Sequence, residues 1–487
     1  MTLAWKRALA LGLSLCLIML PTAGARTQAP PPQAQPAKPL RDYLQMSYRE
    51  LFDVAPQVQF STAQFEAQRD VLEQGKDLCV TRFKDRAKQY QKQLDAAQKE
   101  LKKSSPGLTD AQRKAVHCNI QNLALVRSEA QVLAEHAIPT AYDNLNAKLE
   151  LMQQWPAQYQ QARQEIASGA YLNRRWGDVK DIGFRVIAAN QQDDIKTGQQ
   201  AAEELRRAGV LPPELENKAI QQYVQELAQK LARNSDLKIP LHVVVLQSRE
   251  INALALPGGY LFVERGLLEA SDDEAELAGV LAHEMAHDAA RHGHKLMKRA
   301  TIASILYQVA QVAALVLTGG AAGAAAYYGL QYGFYGLGLF INLDLLGVSR
   351  SSELEADQLG MQYAWKAGYD PSGFTRFFDK IATREGYVNG VSWFRTHPPF
   401  YGRMVAAERE MMFLPANPQA IVTSSAFEQM KRELAPIAAQ AERADLNKPS
   451  LLISREEGCT PPAKIEYKPG QSIEQLCAQP MLTPGGR

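Results

Sequence analysis

A surplus of charge of either sign is what this 487-residue chain lacks first: 54 lysines and arginines stand against 52 aspartates and glutamates, for a formal net charge of +2. That balance argues against nucleic acid as the main partner, since such proteins carry a basic patch or stripe. The few basic pairs, Lys102-Lys103, Arg174-Arg175 and Arg206-Arg207, are small enough to be solvated surface. Cysteine is scarce, with five in all and none at C-x-x-C spacing, which excludes a cysteine zinc site and a dithiol redox motif. The first apolar run, residues 8–20, is too short to span a bilayer. What is there in quantity is ordinary globular material: 46% hydrophobic and 22% charged residues, enough for roughly two or three globular units.

The short apolar run has the marks of a targeting segment. Lys6 and Arg7 precede it, and Ala23-Gly24-Ala25 supplies small residues for cleavage after Ala25. Residues 1–25 are therefore expected to be a signal peptide, with a retained membrane anchor as the other reading. Cys16 lies inside the run, away from any lipoprotein-type cleavage position. Export leaves Cys79, Cys118, Cys459 and Cys477, an even number that suggests disulfides. Three pairings are possible, and sequence neighbourhood favours Cys79–Cys118 and Cys459–Cys477.

Residues 26–41 hold Pro30, Pro31, Pro32, Pro36 and Pro39 and read as a linker. Residues 42–189 read as a helical arm. Its first helix covers 64–103, breaks at 104–107, and returns from a cap at Thr109 toward Trp155-Pro156, with a kink or break at Pro139. The arm is read as structural, with the holding of a partner or substrate as the alternative. Within residues 190–415, an amphipathic helix over 217–233 sets Ile220, Val224, Leu227 and Leu231 on one face. A β-branched run over 241–246 and two short strands around Pro257-Gly258-Gly259 follow. The fold class is thus mostly α with a small β-sheet (α+β). An edge strand of that sheet can pair with an extended peptide. Residues 300–343 carry no charge and read either as a membrane-dipping or peripheral contact or as an apolar lid; their glycines and Gln308, Gln311 and Gln331 disfavour a spanning helix. Residues 416–487 read as a helix over 424–434, interrupted at Pro436 and resumed over 437–444, then a tail pinned by a disulfide.

The chemistry lies in residues 271–300. His283-Glu284-Met285-Ala286-His287 is H-E-x-x-H, which on a helix puts two imidazoles one turn apart on one face, with a glutamate placed as general base. Ser271 and Glu274 read as a capping box. Asp272, Asp273, Glu274 and Glu276 suit the N-terminal end of the macrodipole, and Arg291, Lys295, Lys298 and Arg299 the C-terminal end. The positions between are apolar on nearly every side, so three ionisable groups sit where solvent is scarce and need a partner such as a metal. A catalytic zinc takes three protein ligands and keeps one position open. One Zn²⁺ per chain is expected, on His283, His287 and a third ligand for which Glu353 is best placed. Asp357, one turn on, can fix the tautomer of a ligand histidine. Glu355 lies about 160° round the helix from both and reads as solvated surface. His292 and His294 read as polar residues at a helix end.

His-Glu-Met-Ala-His, the later Glu-Leu-Glu-Ala-Asp, and Thr396-His397-Pro398 with Arg403 beyond resemble the gluzincin metallopeptidases of peptidase family forty-eight, in particular their exported soluble branch, the BepA-like periplasmic proteases. The stretch 252–259, Asn-Ala-Leu-Ala-Leu-Pro-Gly-Gly, resembles the strand and turn that precede the zinc helix in that family. The resemblance covers about 193–412. It does not extend to the helical arm, and no tetratricopeptide pattern follows the protease region. It implies a gluzincin-type domain with His283, His287 and Glu353 on zinc, Glu284 as general base and Asp357 orienting a ligand. It further implies His397 as a regulatory ligand that can plug the open position, and Arg403 either paired with a carboxylate or stabilising an oxyanion. The implied activity is zinc endopeptidase action on unfolded or misassembled envelope polypeptides in the periplasm. The alternatives are a chaperone-like assembly factor with a plugged zinc site, and a membrane-embedded protease if 300–343 inserts.

Overall fold

The structure is a computed structural model that describes residues 38–104, 107–170, 191–207, 211–249, 251–293, 350–385, 401–447, 473–478 and 480. The expected signal peptide, most of the linker, residues 300–343 and His397 lie outside the described residues. The described residues from Pro39 onward belong to one compact unit.

Two short helices lead in, α1 (Leu40–Tyr43) and α2 (Tyr48–Val54). Ser47 caps α2 in a full capping box with Glu50. The arm follows as α3 (Thr62–Ser104), α4 (Asp110–Val132) and α5 (Ile138–Ser168). Buried Phe65, Leu72, Cys79, Phe83, Ala87, Tyr90, Leu94 and Ala97 recur along α3 at steps that sum to three, four or seven residues, so a mostly polar helix still presents one continuous seam. The expected disturbance at Pro139 is a π-helical stretch, Leu133–Ala137, which leaves the proline in the first turn of α5. The expected stop at Trp155-Pro156 is overridden: α5 runs through Pro156. Trp155 is 2% exposed, its indole N–H donates to Phe52 O at 3.0 Å, and its ring meets Phe52 edge-on. That packing offsets the one backbone bond the proline removes.

The second half is built from α6 (Gln191–Arg207), α7 (Lys218–Arg233), strands β1 (His242–Leu246), β2 (Ala253–Leu256) and β3 (Tyr260–Glu264), then α8 (Arg265–Ala270) and α9 (Glu274–Ala289). Next come α10 (Arg350–Lys366), α11 (Ser372–Glu385), α12 (Tyr401–Phe413), α13 (Ser425–Asn447) and α14 (Ile473–Ala478). The sheet order is β1-β3-β2, with β1 parallel and β2 antiparallel to β3. Gly258 and Gly259, both at φ +85°, make the β2–β3 turn that a side chain would strain. Ala202 and Leu205 of α6 cover one face of the sheet with Leu246 and Phe262. On the other face, Val245, Leu261 and Val263 join the main core with α7 and α9.

The outer edge of β1 is closed by side chains. Gln221 exchanges two hydrogen bonds with Val245, and Gln225 accepts from Val243 N. Leu215 N also donates to Val245 O. Among the described residues the unpaired edge of the three-stranded sheet is therefore β2, and β2 packs beside α9.

Three expectations are corrected here. The capping box at Ser271 does not form: α9 starts at Glu274, and Asp273 caps it by accepting from Glu276 N. Ser271 instead ends α8, its hydroxyl donating to Leu267 O, while Lys431 of α13 donates to the carbonyls of Leu268, Glu269 and Ser271. Pro436 does not interrupt α13, since Pro436 and Arg432, whose carbonyl it leaves unbonded, are both exposed to water. The disulfide pairing also differs. Cys79 pairs with Cys477, Cα–Cα 5.5 Å, which excludes both Cys79–Cys118 and Cys459–Cys477; Cys118 is disulfide-bonded as well. Cys79 precedes Ser105 by 26 residues and Cys118 follows it by 13. In an antiparallel hairpin that mismatch separates the two cysteines by about 20 Å along the helices. The bridge instead fastens α14 to the middle of α3.

The N-terminal helices meet the second half through buried and half-buried polar contacts. Tyr48 N donates to Asp379 Oδ2 at 3.1 Å, Arg49 pairs with Glu408 at 3.2 Å, and Arg409 with Glu165 at 3.1 Å. Burial pushes the Glu408 carboxyl up to about 7, against the pull of Arg49. An unfolded glutamate titrates near 4.3. As pH rises from there to about 7, the unfolded chain releases its proton and the folded one keeps it, so this group costs stability that acid restores. Glu408→Gln is expected to remove that slope. Relative to wild type it should gain about 1–3 kcal/mol between pH 4 and pH 8 in urea unfolding. Parallel pH profiles for the two proteins would contradict the assignment.

Candidate functional site

α9 has no solvent face. Every residue from Glu274 to His287 is buried. Its N-terminal acids are held by the neighbouring helix as well as by the helix dipole. Arg376 of α11 pairs with Asp273 at 2.8 Å, and Lys380 with Asp272 at 3.0 Å and with Glu276. α10 packs against α9 at very short range. A Cβ on Gly360 would lie 2.8 Å from His283 Cα and N, so the approach requires glycine. Glu353 and Asp357, earlier on the same helix, are thereby set opposite the histidines.

The donor atoms converge. His283 Nε2 lies 3.1 Å from His287 Nε2 and 3.7 Å from Glu353 Oε2, and His287 Nε2 lies 3.4 Å from Glu353 Oε1. Bonds of about 2.0–2.1 Å in a tetrahedral zinc site place ligand atoms about 3.3–3.4 Å apart. The three buried donors bracket that spacing, and they are the one group of metal-binding geometry found among the described residues. Two imidazoles and a carboxylate are also the donor types zinc takes at catalytic sites. The residues fit the metal.

Two of the three donors, His283 and Glu353, are backed by residues outside the donor set. His283 Nδ1 is 2.9 Å from Asp357 Oδ1. Arg403, from α12, donates to both Asp357 oxygens at 2.7 Å and lies 3.0 Å from Glu353 Oε2. Burial alone would raise the Asp357 carboxyl, but the Arg403 charge and hydrogen bonds, with His283, hold it below the usual carboxylate range. Burial would likewise lower the Arg403 guanidinium, and Asp357 with Glu353 hold it up. Of the two roles expected for Arg403, the geometry shows the carboxylate pairing. Phe374 stacks on the His283 ring at 5.2 Å. Glu284 is buried with its Oε2 accepting from Ala255 N of β2 at 3.2 Å, so the glutamate faces the free edge of the sheet.

Two residues expected at the surface are inside. His292 is 4% and Glu355 7% exposed. His292 Nδ1 lies 3.0 Å from His287 Nδ1, and His292 Nε2 lies 3.1 Å from Glu355 Oε2. The expectation failed because it extended α9 to residue 300. The helix ends at Ala289, Arg291 adopts φ +58°, and the chain folds back under His287. Glu355, on the other side of α10 from Glu353, meets that returned segment. A signal was present: His283, His287, His292 and His294 are four of only eight histidines in the chain. Asp288 was also missed. Burial pushes its carboxyl up to about 7, the Gly258 and Gly259 N–H groups donate to it, and Arg291 beside it pairs with Asp194 of α6 at 2.7 Å. These contacts lock the β2–β3 turn against the end of α9.

A buried helix bearing two histidines one turn apart, a glutamate between them and a second glutamate from a later helix is the side-chain arrangement of gluzincin-type metallopeptidase sites. Residues 214–411 match the model of Peptidase family M48. His283, Glu284, His287, Glu353, Asp357 and Arg403 all fall inside that span. The chain is 27% identical over 258 residues to the beta-barrel assembly-enhancing protease of Yersinia pestis, covering 52% of this chain and 51% of that one. It is 31% identical over 184 residues to the putative beta-barrel assembly-enhancing protease of Vibrio cholerae, 36% of each chain. It is 34% identical over 166 residues to the mitochondrial metalloendopeptidase OMA1 of Schizosaccharomyces pombe, 34% of this chain and 44% of that one. The chain spans about half, or less, of the length of the curated relatives it matches.

Proposed function

We propose that this protein is an exported zinc endopeptidase that cleaves unfolded or misassembled envelope polypeptides. The observation that carries the reading is the convergence of His283, His287 and Glu353 with Glu284 beside them at the free edge of the sheet. Zinc bound there would supply a Lewis acid that polarises the scissile carbonyl and makes water nucleophilic near neutral pH. Glu284 takes the proton of the attacking water and delivers it to the leaving amine. Asp357 holds His283 in the tautomer that leaves Nε2 free to ligate, and Arg403 holds Asp357. An extended peptide docks by strand addition on β2, the edge that Gln221 and Gln225 do not occupy. Main-chain pairing of this kind tolerates varied side chains and suits unfolded substrates.

Export is supported by the N-terminal pattern and by the disulfides at Cys79 and Cys118, which persist in oxidising compartments. The envelope role is supported by the relatives named beta-barrel assembly-enhancing protease. Among the described residues no helix is long and apolar enough to cross a membrane. Peripheral membrane contact through 300–343 and gating by His397 belong to the same proposal and rest on sequence alone. The test is chelation. Treatment with 1,10-phenanthroline should stop cleavage of β-casein, and one equivalent of zinc should restore it. Undiminished cleavage by metal-free protein would overturn the reading.

A further inference from the structure

The His283 side of the site is braced by Asp357 and Arg403, and the His287 side has its own brace. We infer that His292 and Glu355 form a relay that positions His287 for the metal, a role separate from the ligand set. The inference rests on the zinc reading above.

Nε2 of His287 faces His283 and Glu353, so ligation through Nε2 leaves the proton on Nδ1. That Nδ1–H points at His292 Nδ1, 3.0 Å away, which must then be the unprotonated acceptor. His292 in turn carries its proton on Nε2 and donates it to Glu355 Oε2 at 3.1 Å. Each donor has an acceptor, and the chain of bonds ends on a carboxylate. Any other assignment sets two lone pairs or two protons against each other at one of the contacts. Both residues are buried, so water does not substitute for either partner. The two rings lie 4.9 Å apart at 72°, edge to face, an arrangement in which one nitrogen can address the other without stacking.

The relay fixes the His287 ring about χ1 and χ2 and makes its Nε2 a stronger donor, as carboxylate-backed imidazoles are. It also explains the Glu-Leu-Glu-Ala-Asp run on α10. Glu353 supplies a ligand, Asp357 backs His283, and Glu355, pointing to the other side, backs His287 through His292. One helix thereby sets all three donors.

The test is metal affinity measured on folded protein by competition with a chromophoric chelator, for wild type, His292→Leu, His292→Asn, Glu355→Gln and the double variant His292→Leu/Glu355→Gln. Circular dichroism of the metal-free forms checks the fold. His292→Leu keeps volume and loses the acceptor, and its zinc affinity should fall about 10–100-fold. His292→Asn keeps an acceptor where Nδ1 stood and should stay within about threefold of wild type. Glu355→Gln should lose a smaller factor, and the double variant should be no worse than His292→Leu, because Glu355 acts through His292. The visible spectrum of the cobalt form should shift in His292→Leu and not in His292→Asn. A merely structural role would make Asn as harmful as Leu, and additive losses would break the relay; either overturns the inference. If wild type itself binds no equivalent of metal, the zinc reading fails together with it. If wild type binds tightly and His292→Leu binds within twofold of it, only the relay fails.

Discussion

Glu284→Gln is expected to keep its metal and lose its chemistry. Gln is the same size, and the position lies between His283 and His287 on a helix buried on every side, so the fold and the donor set should survive. What disappears is the carboxylate that takes and returns a proton. General-acid–base groups contribute about 10²–10⁴-fold. Cleavage of β-casein should drop by at least that factor, while metal content and unfolding midpoint stay at wild-type values. The contact with Ala255 N bears on KM: an amide oxygen can still accept that bond, so substrate binding along β2 should change little and the loss should fall on kcat. Wild-type turnover in this variant would remove Glu284 from the mechanism. Loss of metal together with turnover would assign it to holding the site together.

Arg403→Met is expected to be the most destabilising single change near the site. The guanidinium is 1% exposed and faces two carboxylates, Asp357 and Glu353, themselves 1% and 2% exposed. Removing one partner of a buried ion pair costs about 3–5 kcal/mol, because the opposite charge is left uncompensated. The loss should appear in urea unfolding of the metal-free protein. Arg403→Lys should not rescue it, since one ammonium cannot make the two parallel bonds to Asp357. The pH dependence has a definite sign. Asp357 is held below its ordinary range, so its contribution is present above about pH 3.9, the unfolded value, and is lost as pH falls through the folded one. The gap between wild type and Arg403→Met should therefore be widest near neutrality and close in acid. A deficit under about 1 kcal/mol at neutral pH would mean that the carboxylates find another partner or shed their charge.

Much of the centre was legible because its period is local. Two histidines four residues apart, and a glutamate and aspartate four apart, each fix a helix face without knowledge of the rest. The sheet was legible from its β-branched run and its paired glycines. What failed depended on where helices end and on what returns to meet them. The left-handed turn at Arg291 has no glycine to announce it, and it decides whether His292 faces water or His287. Pro156 and Pro436 read as stops, yet one is overridden by the packing of Trp155 and the other is harmless at an exposed face. The disulfide partner of Cys79 was misjudged because proximity in sequence stood in for proximity in space. Only the tertiary fold brings a helix 398 residues away to the middle of α3.

That bridge has a consequence for how damage to the molecule would be seen. A protein with the proposed activity is itself a chain, exposed to neighbouring copies. A single cut anywhere between Cys79 and Cys477 leaves both pieces on one covalent skeleton. The nicked molecule would run as full-length on a gel without reductant and as two bands with it, so self-cleavage would go unnoticed in a purification followed only under oxidising conditions.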